Sequence, residues 1–166
     1  EKFPNQKFYN NAGKTERNGI EITGLHTLNR TIISSSYSLG DYVFKEFIEN
    51  NFNYKGNKIP GIPNDILTLS IEHKTKNKLF FKLNFKNIGT IYANNSNTIK
   101  IDDFSTFNFK IGKELKLSRS VFYPYLIISN VFNKEYFDNI RINAFGGRYY
   151  EPAPKRTIFG GVRITL

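Results

Sequence analysis

Few side chains in this sequence are placed to do chemistry, and their spacing argues for binding over catalysis. The two histidines, His26 and His73, stand in no HExxH or comparable ligand pattern, so no metal centre is expected. Asp102 and Asp103 open an apolar stretch, where turn or loop capping is the ordinary use of such residues, and nothing nearby completes a general acid–base pair. The glycine pairs at 146–147 and 160–161 lack a phosphate-loop or dinucleotide context, and Ser34-Ser35-Ser36 lacks a nucleophile elbow. No enzyme and no cofactor are expected. What remains is a set of cationic and aromatic residues in two polar segments: Tyr54, Lys55 and Lys58 in one, and Arg141, Arg148, Tyr149, Tyr150 and Lys155 in the other. Guanidinium, ammonium and phenol groups can hold an anionic, ring-bearing ligand by charge and stacking. The same groups at a rim also pair with surface phosphates or stay hydrated.

Such segments need a scaffold, and a period of two supplies it. In LFFKLNFKNIG, Phe81, Leu83 and Phe85 share one face while Lys82, Asn84 and Lys86 take the other. Leu67, Leu69 and Ile71 oppose Thr68, Ser70 and Glu72, and Phe107, Phe109 and Ile111 oppose Asn108 and Lys110. The ending repeats the pattern, with Ile158, Val162, Ile164 and Leu166 against Phe159, Arg163 and Thr165. No helical period competes with it. Eight strands are expected, near residues 6–10, 15–28, 31–47, 65–75, 79–92, 103–115, 121–137 and 156–166.

The connections alternate in length. Short ones fall at Leu28–Arg30, Lys76–Lys78 and Lys116–Arg119; long ones cover 49–63, 93–102 and 138–155, while the short NAGK (11–14) falls at the long-loop end. One end of the sheet is trimmed and the other elaborated, as in outer-membrane barrels, and several strands exceed the roughly 10 residues needed to cross a bilayer at a tilt. Tyr or Phe near the long loops (Tyr42, Phe44 and Phe47; Tyr92; Tyr136 and Phe137) would form an aromatic girdle.

Composition is compatible with this reading. The aromatic content is 16%, all Phe and Tyr, which favours β-structure. No stretch reaches the roughly 18 apolar residues of a membrane helix, but alternating strands escape that criterion. Cys is absent, which excludes a disulfide framework and thiolate metal sites. Met is also absent, so a mature product or a piece of something longer is expected, with any export signal outside it. The net charge of +10 raises anionic partners, yet the Lys and Arg are scattered instead of gathered in a stripe, and nucleic acid is not expected. Alternation also fits a self-contained eight-stranded barrel with a binding or adhesion role, or a soluble β-sandwich burying Phe81, Leu83, Phe85, Phe107 and Phe109 against a second sheet.

Four stretches, in order, resemble the C-terminal part of TonB-dependent outer-membrane receptors, barrels of about 22 strands. GKTERNGIEITG (13–24) places Arg17, Gly19, Ile20 and Glu21 as one of that family's strands does. YKGNKIPGIPNDILTLSIEHK (54–74) is similar to the element by which the chain leaves a long external loop and descends. ISNVFNKEYFD (128–138) and YYEPAPKRTIFGGVRITL (149–166) resemble the family's penultimate and final elements, the last ending on Leu166 where Phe is usual. The resemblance implies an all-β fold: about eight C-terminal antiparallel strands of a transmembrane barrel, residues 1–166, without the plug domain and earlier strands. It implies active uptake of a scarce solute, such as a ferric siderophore, haem, cobalamin or a sugar, across the outer membrane of a Gram-negative cell. The implied partners are outer-membrane lipid and lipopolysaccharide, TonB through the plug, the barrel-assembly machinery through the last strand, and the solute itself. It also implies that Asn130 turns its amide inward near the outer interface, where a bulge residue is the plainer reading, and that Tyr136 sits at headgroup level.

Overall fold

The computed structural model describes residues 13–166; the strand expected near 6–10 lies outside them. Seven long strands follow one another: β1 (Lys14–Leu28), β2 (Thr31–Glu46), β3 (Asp65–Lys74), β4 (Leu79–Ile88), β5 (Phe104–Lys113), β6 (Ser120–Ser129) and β7 (Thr157–Thr165). They pair antiparallel in sequence order into one open sheet, in which β1 and β7 each have a single long neighbour and do not close on each other. The fold is all-β, and the one helical element among the described residues is a single turn at Phe145–Gly147. The short connections turn through left-handed residues: Asn29 (φ 52°), Lys78 (φ 61°) and Ser118 (φ 53°).

The register sorts the side chains by parity. One row crosses six strands as Ile33, Ile71, Leu83, Phe109, Ile128 and Ile158. One residue along, the opposite face reads Ser34, Ser70, Asn84 and Asn108. The sheet curves around the polar face, since Ile32 of β2, Glu72 of β3, Phe80 of β4, Tyr123 of β6 and Arg163 of β7 all line one cavity of about 350 Å³. The apolar face is therefore the convex one. His26 and His73 lie on it, opposite Ile33 and Phe81, and His73 Nδ1 shares a 2.8 Å hydrogen bond with the Thr31 hydroxyl.

Burial excludes the sandwich alternative. The buried apolar side chains among the described residues are Phe44, Ile88, Ile91, Ala93 and Ile101, all in or beside the long loops. Phe81, Phe85, Phe107 and Phe109 are partly exposed and Leu83 is 37% exposed, and among the described residues no second sheet is stacked on them. Among the described residues no protein segment covers this apolar face, as on the lipid-facing side of a membrane barrel.

Several expected strands are shorter than their apolar pattern suggested. In the 79–92 stretch the regular strand ends at Ile88; backbone bonds from Gly89 N–H to the Asp65 carbonyl (2.8 Å) and from Asn64 N–H to the Thr90 carbonyl (3.1 Å) carry the edge on, and Ile91–Tyr92 then ladder with Lys100–Ile101. The 103–115 stretch breaks near Glu114. Pro124 has no N–H to offer that edge, so pairing skips from Tyr125–Gly112 to Phe122–Leu115. The 121–137 stretch stops at Ser129, because Asn130 turns left-handed (φ 51°).

The expected aromatic girdle is also revised. Tyr42 and Phe44 fall on the concave side, Tyr42 lying over Gly40 and Phe44 packing on Phe47 at 4.8 Å. Tyr136 stacks on Phe104 at 4.6 Å instead of standing at an outer interface. The rings that meet on the convex side near the long loops are Phe85, Phe107 and Phe132, with centroids 4.8 and 5.0 Å apart.

This orientation predicts an asymmetric response to charge. Leu83→Arg should destabilise the folded protein in lipid by about 2–4 kcal/mol. Asn84→Arg, one residue along on the other face, should cost less than about 1 kcal/mol. Urea titration in vesicles of the protein carrying this chain checks both.

Candidate functional site

Each long connection emerges from the same end of the sheet: residues 47–64 after β2, 89–103 after β4 and 130–156 after β6. Their meeting point is built largely from asparagine. Asn97 grips the backbone of Lys58 from both sides, accepting its N–H at 2.7 Å and donating to its carbonyl at 2.9 Å. Asn57 donates to the Asn95 carbonyl at 2.8 Å, and the Asn95 N–H donates to the Asn143 side chain at 2.9 Å. Backbone bonds add Gly61 N–H to the Tyr92 carbonyl at 2.7 Å and Asn143 N–H to the Ala93 carbonyl at 2.9 Å. Under this polar lacing, Ile88, Ile91, Ala93 and Ile101 form a small core on the concave side, covered by Ile140 and Tyr149. Three loops thus behave as one block.

The choice of Asn has a backbone reason as well. Among the described residues, nine non-glycine residues have positive φ and seven of them are Asn, the residue after Gly best suited to that conformation. Asn130 shows both properties. It is 4% exposed; its amide donates to the Lys134 carbonyl at 2.8 Å and its side-chain oxygen accepts the Lys134 N–H at 2.8 Å. Its own N–H donates to Asn108 at 2.9 Å, which ties this turn to β5. Asn130 is therefore the closing residue of a strand and not a bulge within one.

The sequence-derived ligand residues separate into two groups. Arg141 is clamped by Glu151, through Nε at 2.7 Å and a second nitrogen at 2.5 Å. Lys155 pairs with Glu135 at 2.9 Å, and Lys58 with Asp41 at 2.5 Å. Tyr54 packs on Phe47 at 5.5 Å, Tyr150 stacks on Phe137 at 4.5 Å, and Tyr149 is partly buried over the loop core. These six are committed to holding loops together. Lys55 and Arg148 are exposed and, among the described residues, make no ion pair within 4.0 Å. Lys55 lines a shallow cavity with Lys45, Phe47 and Asn53, while Arg148 follows the helical turn at the tip of the third loop.

The concave wall below the loops carries charges that alternation alone had marked. Lys82 pairs with Glu72 at 2.6 Å; Lys110 lies 4.9 Å from the Tyr125 ring centre and 5.5 Å from that of Phe80; Arg163 lies 4.3 Å from the centre of Tyr123. At the short-turn end Glu114 accepts from Lys78 at 2.5 Å, and this hydrogen bond holds its carboxyl below the ordinary range. Sequence reasoning had put Lys82, Lys110 and Arg163 on the right face but had no means of pairing them with those rings.

Two outcomes follow from the loop geometry. Asn97→Gly keeps the left-handed backbone and removes both side-chain bonds to Lys58, a loss of about 1–3 kcal/mol local to the block. Hydrogen exchange should accelerate at Lys58 and Asn57 while β3 and β4 stay protected. The second outcome concerns acid. Asn139, then Arg141, hold the Glu151 carboxyl below its usual value of 4.5, so the contribution of this cluster is complete above about that pH and fades as pH falls through the depressed value. Arg141→Gln should move the onset of acid loosening of the third loop to higher pH, as read by limited proteolysis.

Comparison with known proteins places this geometry. Residues 2–148 match the family described as TonB dependent receptor-like, beta-barrel. Among solved structures, BauA, the ferric preacinetobactin receptor from Acinetobacter baumannii, superposes with a TM-score of 0.77 at 16% identity, over 89% of this chain and 22% of that one. The siderophore receptor PiuA from the same organism gives 0.74 at 17%, over 91% and 22%. The ferric yersiniabactin uptake receptor FyuA from Yersinia pestis gives 0.70 at 20%, over 93% and 24%. The chain thus spans about a quarter or less of the length of these receptors, and at such identities the likeness is one of fold. With the family match covering most of its length, the chain belongs to the TonB-dependent receptor-like β-barrel family.

Proposed function

We propose that this chain is the C-terminal part of the barrel of an outer-membrane receptor, which takes up a scarce solute such as a ferric siderophore with energy relayed by TonB. The carrying observation is the register, which puts an uncovered apolar row on the convex side and a charged, aromatic-lined wall on the concave side. In this reading the plug domain and earlier strands belong to the same receptor, and TonB acts through the plug. The convex rings Phe85, Phe107 and Phe132 lie against outer-leaflet lipid and lipopolysaccharide. Strand β7, with Ile158, Gly160, Val162 and Ile164 on its convex side, serves as the signal read by the barrel-assembly machinery. The outer loops meet the solute, with Lys55 and Arg148 as the cations free to contact it and Tyr54, Lys58, Arg141, Tyr149, Tyr150 and Lys155 framing them.

The test is uptake of radiolabelled ferric chelates by cells with and without the protein, each with TonB intact or deleted. Accumulation that requires both is expected. Equal accumulation in all four strains for every chelate tried would refute the transport reading, and release of the protein by alkaline carbonate without detergent would refute the membrane reading.

A further inference from the structure

Among the cavities, one lies between the concave wall and the third loop. It has a volume of about 340 Å³, at the small end of the roughly 300–1,000 Å³ typical of ligand sites, so it suits a ring-sized fragment better than a whole large solute. Its wall is Lys86 and Ile88 of β4 with Phe104 and Thr106 of β5; the third loop covers it with residues 136–140 and Ile142, and Gly61 and Pro63 of the first loop close one side.

Lys86 differs from Lys78 and from the other cations that strands β3 to β7 carry on this face. Lys82 has Glu72, Lys74 and Lys78 have Glu114, Lys110 has two rings and Arg163 has one. Among the described residues Lys86 has no carboxylate within 4.0 Å and no ring beneath it, yet it lines a cavity whose side is the stacked pair Phe104–Tyr136, with planes 21° apart. An ammonium left without a protein counter-charge beside an aromatic wall is complementary to a carboxylate or phenolate carried on a ring. The one acidic residue lining the cavity, Asp138, comes from the loop side, where it would oppose that anion and favour a cation.

We infer that this cavity is a subsite for an anionic ring-bearing group of the solute, with Lys86 as the charge contact and Phe104–Tyr136 as the stacking surface. The inference rests on the transport reading in taking the concave face to be the side the solute meets.

Binding and transport are therefore measured separately. The detergent-solubilised receptor carrying this chain is titrated with benzoate, its neutral analogue benzamide and the cation benzylamine, followed by saturation-transfer NMR. Benzoate should bind, with benzamide about tenfold weaker, the size of one charge-assisted hydrogen bond. Lys86→Gln should erase that preference, and Asp138→Asn should leave benzoate binding unchanged or tighter. Both positions are solvent-exposed, so folding is not at stake. No benzoate binding by the unaltered protein, unchanged binding in Lys86→Gln, or a preference for benzylamine that Asp138→Asn abolishes would each overturn the subsite. Benzoate binding that persists in a protein giving no chelate uptake would sink the transport reading and leave the subsite standing.

Discussion

A strand that crosses hydrocarbon finds no water to satisfy its N–H and C=O groups, so its ladder must run without interruption wherever lipid lies beside it. The irregularities of this sheet respect that demand. The shift beside Lys14, the end of regular pairing at Ile88 and the left-handed Asn130 fall at strand ends; the break opposite Pro124 lies midway along β6 but at the end of β5, and there β6 keeps its pairing with β7. Between them the pairing of β3 with β4 and of β4 with β5 is unbroken. Continuous pairing makes parity absolute, and parity puts every second side chain towards the same medium.

The concave face shows how a wall can carry many cations without mutual repulsion. Lys82 and Lys110 lie directly opposite each other across β4 and β5, an unfavourable placement on its own. Glu72 takes up one charge, and the rings of Tyr125 and Phe80 take up the other. Aromatic quadrupoles neutralise less completely than carboxylates do. Lys82 and Lys110 are thereby each held in a fixed direction, with the charge over the rings the less compensated of the two.

How much of this could be read beforehand depended on the range of the interaction. Alternation in 79–88 and 104–113 is local, so the faces of Lys82, Leu83 and Phe109 were legible from the sequence alone, as were the short turns and the long loops. The ends of strands were less so, because an apolar run such as Leu126 to Phe132 looks continuous until Asn130 closes a turn through contacts with Lys134 and Asn108. The site was the least legible. Arg141 and Lys155 looked like ligand contacts because Glu151 and Glu135 lie 10 and 20 residues away in the chain, and only the folded loop brings each pair together. Lys86 was visible as a polar-face residue, while the cavity beside it required three segments to converge.

The asparagine lacing has an evolutionary corollary. Asn57, Asn95, Asn97 and Asn143 come from three separate excursions of the chain, yet each finds its partner on another of them. A recombination event that swaps one excursion from a sister receptor would strand amides in the two left behind. Inheritance of these loops should consequently be modular at the level of the trio, with all three segments exchanged or none.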